Sequence, residues 1–292
     1  MIFRQKTSFA RLMAAFFVVL AHLVLVGCTT VGPDYVPPST SLPDNWHTQL
    51  EGGLTADRMD PRHLASWWTT LDDPELSDLI ARAVSGNLDL KKALARIREA
   101  RARRGIARAD LFPTLDATGS ARWSRSDEDP GGGETTDLYR AGFDAGWELD
   151  FFGGARRSVE AAEAGLQASE EDLRDVLVSL LAEVAQNYIE VRTYQMRLAV
   201  AEANLEALTE THRLTVWRNQ AGLSDELDVK QATYNLENTR SRIPTLRTGR
   251  EGAMNRIAVL LGQQPGKLHM EMEERKPIPV TPVHVVVGIP SE

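Results

Sequence analysis

The one side chain placed for a covalent step is Cys28, the single cysteine of the 292-residue sequence. It follows Leu25-Val26-Gly27 at the end of an apolar run from Leu12 to Val26, and Arg4, Lys6 and Arg11 give the stretch before it a positive charge. The run is shorter than the roughly 18 to 20 residues a membrane-spanning helix requires, so residues 1–27 read as an export signal. Small residues ahead of the thiol admit a peptidase, and the sulfur is the atom that receives a diacylglyceryl group, as in a bacterial lipobox. The mature chain is then expected to begin with a Cys28 that carries acyl chains such as palmitate. Thr29 stands where an Asp would signal inner-membrane retention, so sorting defaults to the outer membrane. A lone cysteine also excludes a disulfide within the chain.

Other chemistries lack their residues. The six histidines, His22, His47, His63, His212, His269 and His284, are scattered, and no two stand at metal-ligand spacing. No GxSxG, HExxH or phosphate-loop pattern occurs. Gly131-Gly132-Gly133 lies among acids and reads as an external loop rather than a phosphate cradle. Neither catalysis, nor a metal, nor any cofactor beyond the covalent lipid on Cys28 is expected. Loss of residues 1–27 takes the formal net charge from -8 to -11, which leaves no electrostatic footprint for nucleic acid. Arg96, Arg98, Arg101, Arg103, Arg104 and Arg108 offer an anionic partner a row of cations. With Glu99 and Asp110 among them they read more simply as a solvated face.

The elements that carry these residues follow from periodicity. Residues 28–70 are rich in Pro, Thr, Ser, Gly and Asp without sustained period and read as a lipidated extended tether lying on a partner surface. Residues 71–110 read as helix: Asp73 is the expected N-cap, Pro74 the first helical residue, and Leu76, Leu79, Ile80, Ala83, Val84, Leu90, Ala93, Leu94, Ile97 and Ala100 recur at helical spacing, with Gly86-Asn87 as an interruption. At Phe112-Pro113 the period changes to two. Leu115, Ala117, Gly119, Ala121 and Trp123 make one face of a first strand, and Tyr139, Ala141, Phe143, Ala145, Trp147, Leu149 and Phe151 one face of a second. Polar residues alternate with both. Each strand reaches the roughly 9 to 11 residues of a tilted membrane strand, so residues 111–153 read as a transmembrane β-hairpin with an external loop at 126–137. Trp123, Tyr139, Phe143, Trp147, Leu149 and Phe151 would be its membrane-facing residues. A soluble hairpin packed on a core fits the alternation equally, and the exported, lipidated context favours the barrel.

Residues 154–262 read as a long coiled-coil hairpin. Leu177, Val184, Val191, Leu198 and Leu205 recur every seven residues beside Leu166, Leu173, Leu180, Asn187, Tyr194, Ala201 and Leu208, the signature of left-handed packing. A helix from 156 to 219 would be ~95 Å long. The chain should reverse in a tip at 219–229, with Gly222 left-handed and Ser224 capping the returning helix. Pro244 should kink or break that helix, at a cost of ~3 kcal/mol. Asn187 either fixes register or lines a polar duct, and the apolar series around it favours register. The two shorter helices, stacked end to end, match the long one, which gives a tube wall with the β-hairpin at one end and the tip at the other. Residues 263–292 read as a linker.

Several of these segments carry a family resemblance. Trp67-Trp68 with Asp73-Pro74-Glu75-Leu76, Asn87-Leu88-Asp89-Leu90, Leu111-Phe112-Pro113 and Trp147-Glu148-Leu149-Asp150-Phe151-Phe152-Gly153 resemble the first half of TolC-like outer-membrane factors. Val31-Gly32-Pro33-Asp34-Tyr35 is similar to the start of the lipoprotein branch that serves resistance-nodulation-division (RND) pumps. The resemblance implies a mainly α fold with a transmembrane β-hairpin, in which a long coiled-coil α-hairpin forms an α-barrel segment beneath β-barrel strands. It implies a twelve-stranded barrel built by a homotrimer, and partnership with a periplasmic adaptor and an inner-membrane RND transporter. The segment Gly222, Leu223, Ser224, Asp225, Glu226, Leu227 and Asp228 resembles the turn that meets the adaptor. Its acids either complement the helix dipole or form a cation-selective ring, and the dipole role is favoured. Family members hold two such repeats and this sequence one, so a truncated, non-conducting piece of the channel is among the readings, as are a periplasmic adaptor and a structural lipoprotein. No lipoyl-like strands flank the coiled coil, which weighs against the adaptor.

Overall fold

The computed structural model describes residues 30–38, 46–55, 65–125, 134–280 and 285–286. In chain order the elements are β1 (Leu54–Thr55), a 3-10 turn (Trp67–Leu71), α1 (Pro74–Gly86), α2 (Leu88–Ala109), β2 (Thr114–Arg125), β3 (Thr135–Gly146), α3 (Gly154–Gln220), α4 (Glu226–Leu260) and β4 (Val285–Val286). They divide into two compact units, one of residues 1–38 and 95–170 and the other of residues 39–94 and 171–292.

The second unit holds the core. Helix α1 starts where Asp73 accepts hydrogen bonds from the Glu75 and Leu76 amides, both at 3.0 Å, with Pro74 filling the position that needs no donor. Its buried residues Leu76, Leu79, Ile80 and Ala83 form one stripe. They pack with Leu180, Leu181, Val184, Ala185, Tyr188 and Val191 of α3 and with Ala253, Met254, Ile257 and Ala258 of α4. Asn87 ends α1 and starts α2: its amide donates to Ala83 O at 2.8 Å and its Oδ1 accepts from the Leu90 amide at 2.9 Å. Its Nδ2 also donates to Leu260 O at 2.9 Å. Gly86 is required at this junction, since a Cβ there would lie 2.2 Å from Leu261 O.

Two expectations about this unit are corrected. Of the kink or break expected at Pro244 the break does not occur, since helix α4 runs through it. Pro244 and Arg240 are both exposed, so water can take the carbonyl that the proline leaves without a donor. The segment after Gly262 is no free linker either, because Leu268 and Met272 are fully buried in the core. Strand β4 pairs in parallel with β1, Val285 opposite Leu54.

The first unit contains the β-hairpin. Strands β2 and β3 pair antiparallel from Thr114 opposite Gly146 to Arg125 opposite Thr135. Leu115, Ala117 and Ala121 lie opposite Ala145, Phe143 and Tyr139, so the apolar faces of both strands coincide. Every residue of both strands is exposed. Strand β3 lies earlier than the alternation predicts. Its ladder stops at Gly146, because its partner strand can begin only after Pro113, which has no amide to donate. Trp147, Leu149 and Phe151 therefore follow the strand instead of belonging to it. Among the described residues, no helix is long and apolar enough to cross a membrane.

Candidate functional site

Three places bear on function, and two of them lie in the second unit. The first is the reversal between α3 and α4. Gly222 adopts φ +73°, the left-handed region that a side chain disfavours. The amide of Leu223 donates to Arg218 O at 2.8 Å and that of Gly222 to Asn219 O at 2.9 Å, a Schellman closure that satisfies the last carbonyls of α3. Asp225, not Ser224, caps α4, its Oδ1 accepting from the Asp228 amide at 2.9 Å. Ser224 instead accepts from Asn219 Nδ2 through its carbonyl, and its Oγ is buried without a partner. A carboxylate is the better cap here, since it adds charge complementarity at the positive helix end. Glu226 and Asp228 occupy the first turn, Glu226 pairing with Lys230 at 2.9 Å. Leu223 and Leu227 are 69% and 70% exposed. On α3 nearby, Arg213 stacks over the exposed Trp217 ring at 4.8 Å.

The second place is a buried polar cluster that the sequence reading did not find. Arg192 is completely buried. It pairs with Glu75 Oε1 at 2.6 Å and donates to Gln195 Oε1 at 2.8 Å, to Glu274 O at 3.0 Å and to Tyr188 Oη at 3.3 Å. Tyr188 Oη donates to Asp73 Oδ2 at 2.7 Å, so the cap residue of α1 serves both helices. Gln195 Nε2 donates to Met272 O at 2.8 Å, and Lys276 pairs with the other oxygen of Glu75. Burial, followed by the Asp73 hydrogen bond, pushes the Tyr188 hydroxyl above its ordinary range, which keeps it neutral. A signal existed: Tyr188, Arg192 and Gln195 fall at i, i+4 and i+7 on the stripe shared with Val184 and Val191, where a cation is exceptional unless paired. The cluster ties residues 272–276 to α1 and α3 and is structural. Asn187 is likewise a cross-helix tie, accepting from Arg256 Nε of α4 at 2.5 Å. Among the described residues no group of His, Cys, Asp or Glu could hold a metal ion.

The third place, in the first unit, is the hairpin and the turn after it. Trp123 and Tyr139 meet edge to face at 6.2 Å on the apolar face, and Phe143 is 82% exposed there. The polar face carries Asp116 directly opposite Asp144 and Ser120 opposite Arg140. Beyond the strand, Trp147 donates its indole N–H to Leu111 O at 3.2 Å, while Leu149 and Phe151 are exposed. Cys28 and loop residues 126–133 lie outside the described residues.

Comparison with known proteins accounts for this arrangement. The profile of the outer membrane efflux protein family matches residues 79–263. Nodulation protein T of Rhizobium leguminosarum bv. trifolii is 33% identical over 289 residues, covering 97% of this chain and 59% of that protein. The pyoverdine export outer membrane protein OpmQ of Pseudomonas aeruginosa is 30% identical over 281 residues, covering 94% and 58%. The solved structure of the outer-membrane channel OprN superposes with a TM-score of 0.76 at 35% identity, covering 89% of this chain and 58% of that one. The chain thus spans somewhat over half the length of these relatives. The family profile covers more than half of the sequence, and the chain belongs to the outer membrane efflux protein family.

Proposed function

We propose that the chain supplies a segment of the wall of an outer-membrane efflux duct, through which small molecules leave passively while a pump elsewhere provides the energy. Membership of the outer membrane efflux protein family supports an export role at the bacterial outer membrane and not an enzymatic one. The observation that carries the reading is the β2–β3 hairpin: two strands of twelve residues whose apolar faces coincide and are wholly exposed. Hydrocarbon tolerates no open strand edge, so such a hairpin is usable in a membrane only when further strands close it. A homotrimer of complete, two-repeat subunits supplies those strands in this reading. Trp123, Tyr139 and Phe143 face lipid, and the row containing Asp116, Arg140 and Asp144 faces water.

Bilayer conductance tests this. The chain alone is expected to give no stable pore, and a fusion to a second repeat of the family is expected to give a heat-resistant, conducting trimer. A conducting trimer of the chain alone, or a fusion that assembles without conducting, would refute the reading.

The partners in this reading are a periplasmic adaptor and an inner-membrane RND transporter. Leu223, an apolar side chain raised on a Gly222 turn that leaves it exposed, supports the tip as the adaptor contact. Leu223→Asp in a complete protein should abolish export and adaptor cross-linking while assembly and outer-membrane localisation persist. The lipid on Cys28 is proposed on the same footing, and intact-mass measurement of the mature terminus decides it.

A further inference from the structure

Arg156 and Arg157 open α3, and no acid stands in its first turn. Two cations at the positive end of a helix dipole are unfavourable and call for a local reason. For Arg156 the reason is Asp150, whose Oδ2 accepts from its backbone amide at 3.0 Å and from its Nε at 3.2 Å. For Arg157 it is the chain segment just downstream of Cys28. Arg157 Nε donates to Val31 O at 2.9 Å, and its Nη2 donates to Gly32 O at 2.8 Å and pairs with Asp34 at 2.9 Å. Its Nη1 binds Glu160, and Glu160 in turn accepts from the Tyr35 amide. The Val31 amide donates to Phe152 O at 3.0 Å. Gly153, at φ +82°, leaves the space that Thr30 fills: a Cβ at that position would lie 2.3 Å from Thr30 Cγ2.

These contacts order a segment whose composition gives it no element of its own. A guanidinium is suited to the task, because its rigid fork can take two successive carbonyls and a carboxylate at once. Phe152, whose carbonyl holds the Val31 amide, lines one cavity with Phe112, Leu149 and Phe151, and these four, with Trp147, are exposed although large and apolar. They adjoin the end of the β2–β3 ladder where the polypeptide leaves its strands, and aromatic side chains at strand ends suit the boundary between hydrocarbon and water. Two residues of chain span at most about 7 Å, so an acyl group on Cys28 starts within that reach of Thr30.

We propose that Gly153, Arg157 and Glu160 are an anchor clamp, which holds Thr30–Tyr35 beside the aromatic collar so that the acyl chains of Cys28 and the collar enter one lipid leaflet together. The proposal rests on the lipidation of Cys28. The diacylglyceryl group on Cys28 fixes the chain at the membrane, and a collar held next to it adds apolar surface to the same leaflet before any barrel closes.

The test uses the processed chain, expressed with its own leader. Intact mass is measured first, and an unmodified Cys28 overturns the lipidation reading and the clamp with it. In the acylated protein the Cys28 sulfur is blocked, so Phe152→Cys provides the single free thiol for a bimane label. In vesicles of phosphatidylethanolamine and phosphatidylglycerol with brominated acyl chains, the label should be strongly quenched, and Arg157→Met should largely relieve the quenching. Arg157→Met should also speed chymotryptic cleavage after Tyr35 by about tenfold, since cleavage follows the population of the released segment. Arg157→Lys, which keeps the charge and loses the fork, should fall between the two and guards against a methionine variant that misfolds. An unquenched label in the parent refutes the collar. Quenching and cleavage that both ignore the lysine variant and a folded methionine variant refute the clamp.

Discussion

The two units use apolar residues in opposite ways. In the second, Leu76, Leu79, Val184, Tyr188 and Ile257 are shut away from solvent by α1, α3 and α4 of the same chain. In the first, Ile97 and Leu166 are the only buried large apolar residues among those described, while Leu115, Trp123, Tyr139 and Phe143 stand open. The second unit is thus satisfied by its own packing, and nothing among the described residues covers the hairpin. Truncations of similar size should therefore have opposite consequences in the two places.

The largest effect is expected in the core. Leu79→Ala should destabilise the chain by about 4 kcal/mol in denaturant unfolding followed by circular dichroism, because it removes a fully buried side chain and leaves a cavity. Phe143→Ala should change the same measurement by less than about 0.5 kcal/mol, and Phe143→Arg should instead reduce recovery in outer-membrane fractions of a complete protein, by an amount that reflects a midplane penalty of about 2 to 4 kcal/mol. Equal unfolding costs at Leu79 and Phe143 would break the comparison.

Charge sharpens it next. Arg192→Met strips Glu75 of its buried partner and should cost about 3 kcal/mol, the lower end for such a loss because Lys276 remains. Arg104 pairs with Glu163 at 2.9 Å in the first unit, where solvent screens the pair, and Arg104→Met should cost less than about 1 kcal/mol. The two denaturant midpoints read the difference directly.

At the tip, Gly222→Val forces a branched side chain into a left-handed turn, and about 1 to 2 kcal/mol should be lost although the position is open to solvent. Unfolding of Gly222→Asn, which tolerates that conformation, should lie close to the parent.

The smallest effect is pH-dependent. Hydrogen bonds from Arg275 and then Arg247 hold the Glu202 carboxyl below the usual carboxylate range. The stabilisation from a lowered carboxylate is fully present above the unfolded-state value and is lost as pH falls through the lower folded value. A slight decline in thermal midpoint below about pH 4.3 should therefore be blunted in Glu202→Gln. An identical slope in both proteins would show that the two arginines contribute nothing at this exposed site.

Sequence alone determined whatever depends on near neighbours in the chain. A period of seven gives the long helix, a period of two gives the strands, Asp73-Pro74 gives the start of α1, and Gly222 gives the reversal, because each is set by bonds spanning a few residues. Tertiary structure decided whatever depends on a partner far along the chain. Alternation through Phe151 says nothing of where β3 stops, since that is set by Pro113 on the opposing strand. Turn residues after Gly262 look like linker until Leu268 and Met272 find a core built by three earlier helices. Arg192 stands on the apolar stripe of its helix, which signals a pairing but not the partner; Asp73 and Glu75, more than a hundred residues before it, bring their carboxylates to Tyr188 and its own guanidinium. Local periodicity reports which face of an element is apolar, and only packing reports which polar groups have been carried in with it.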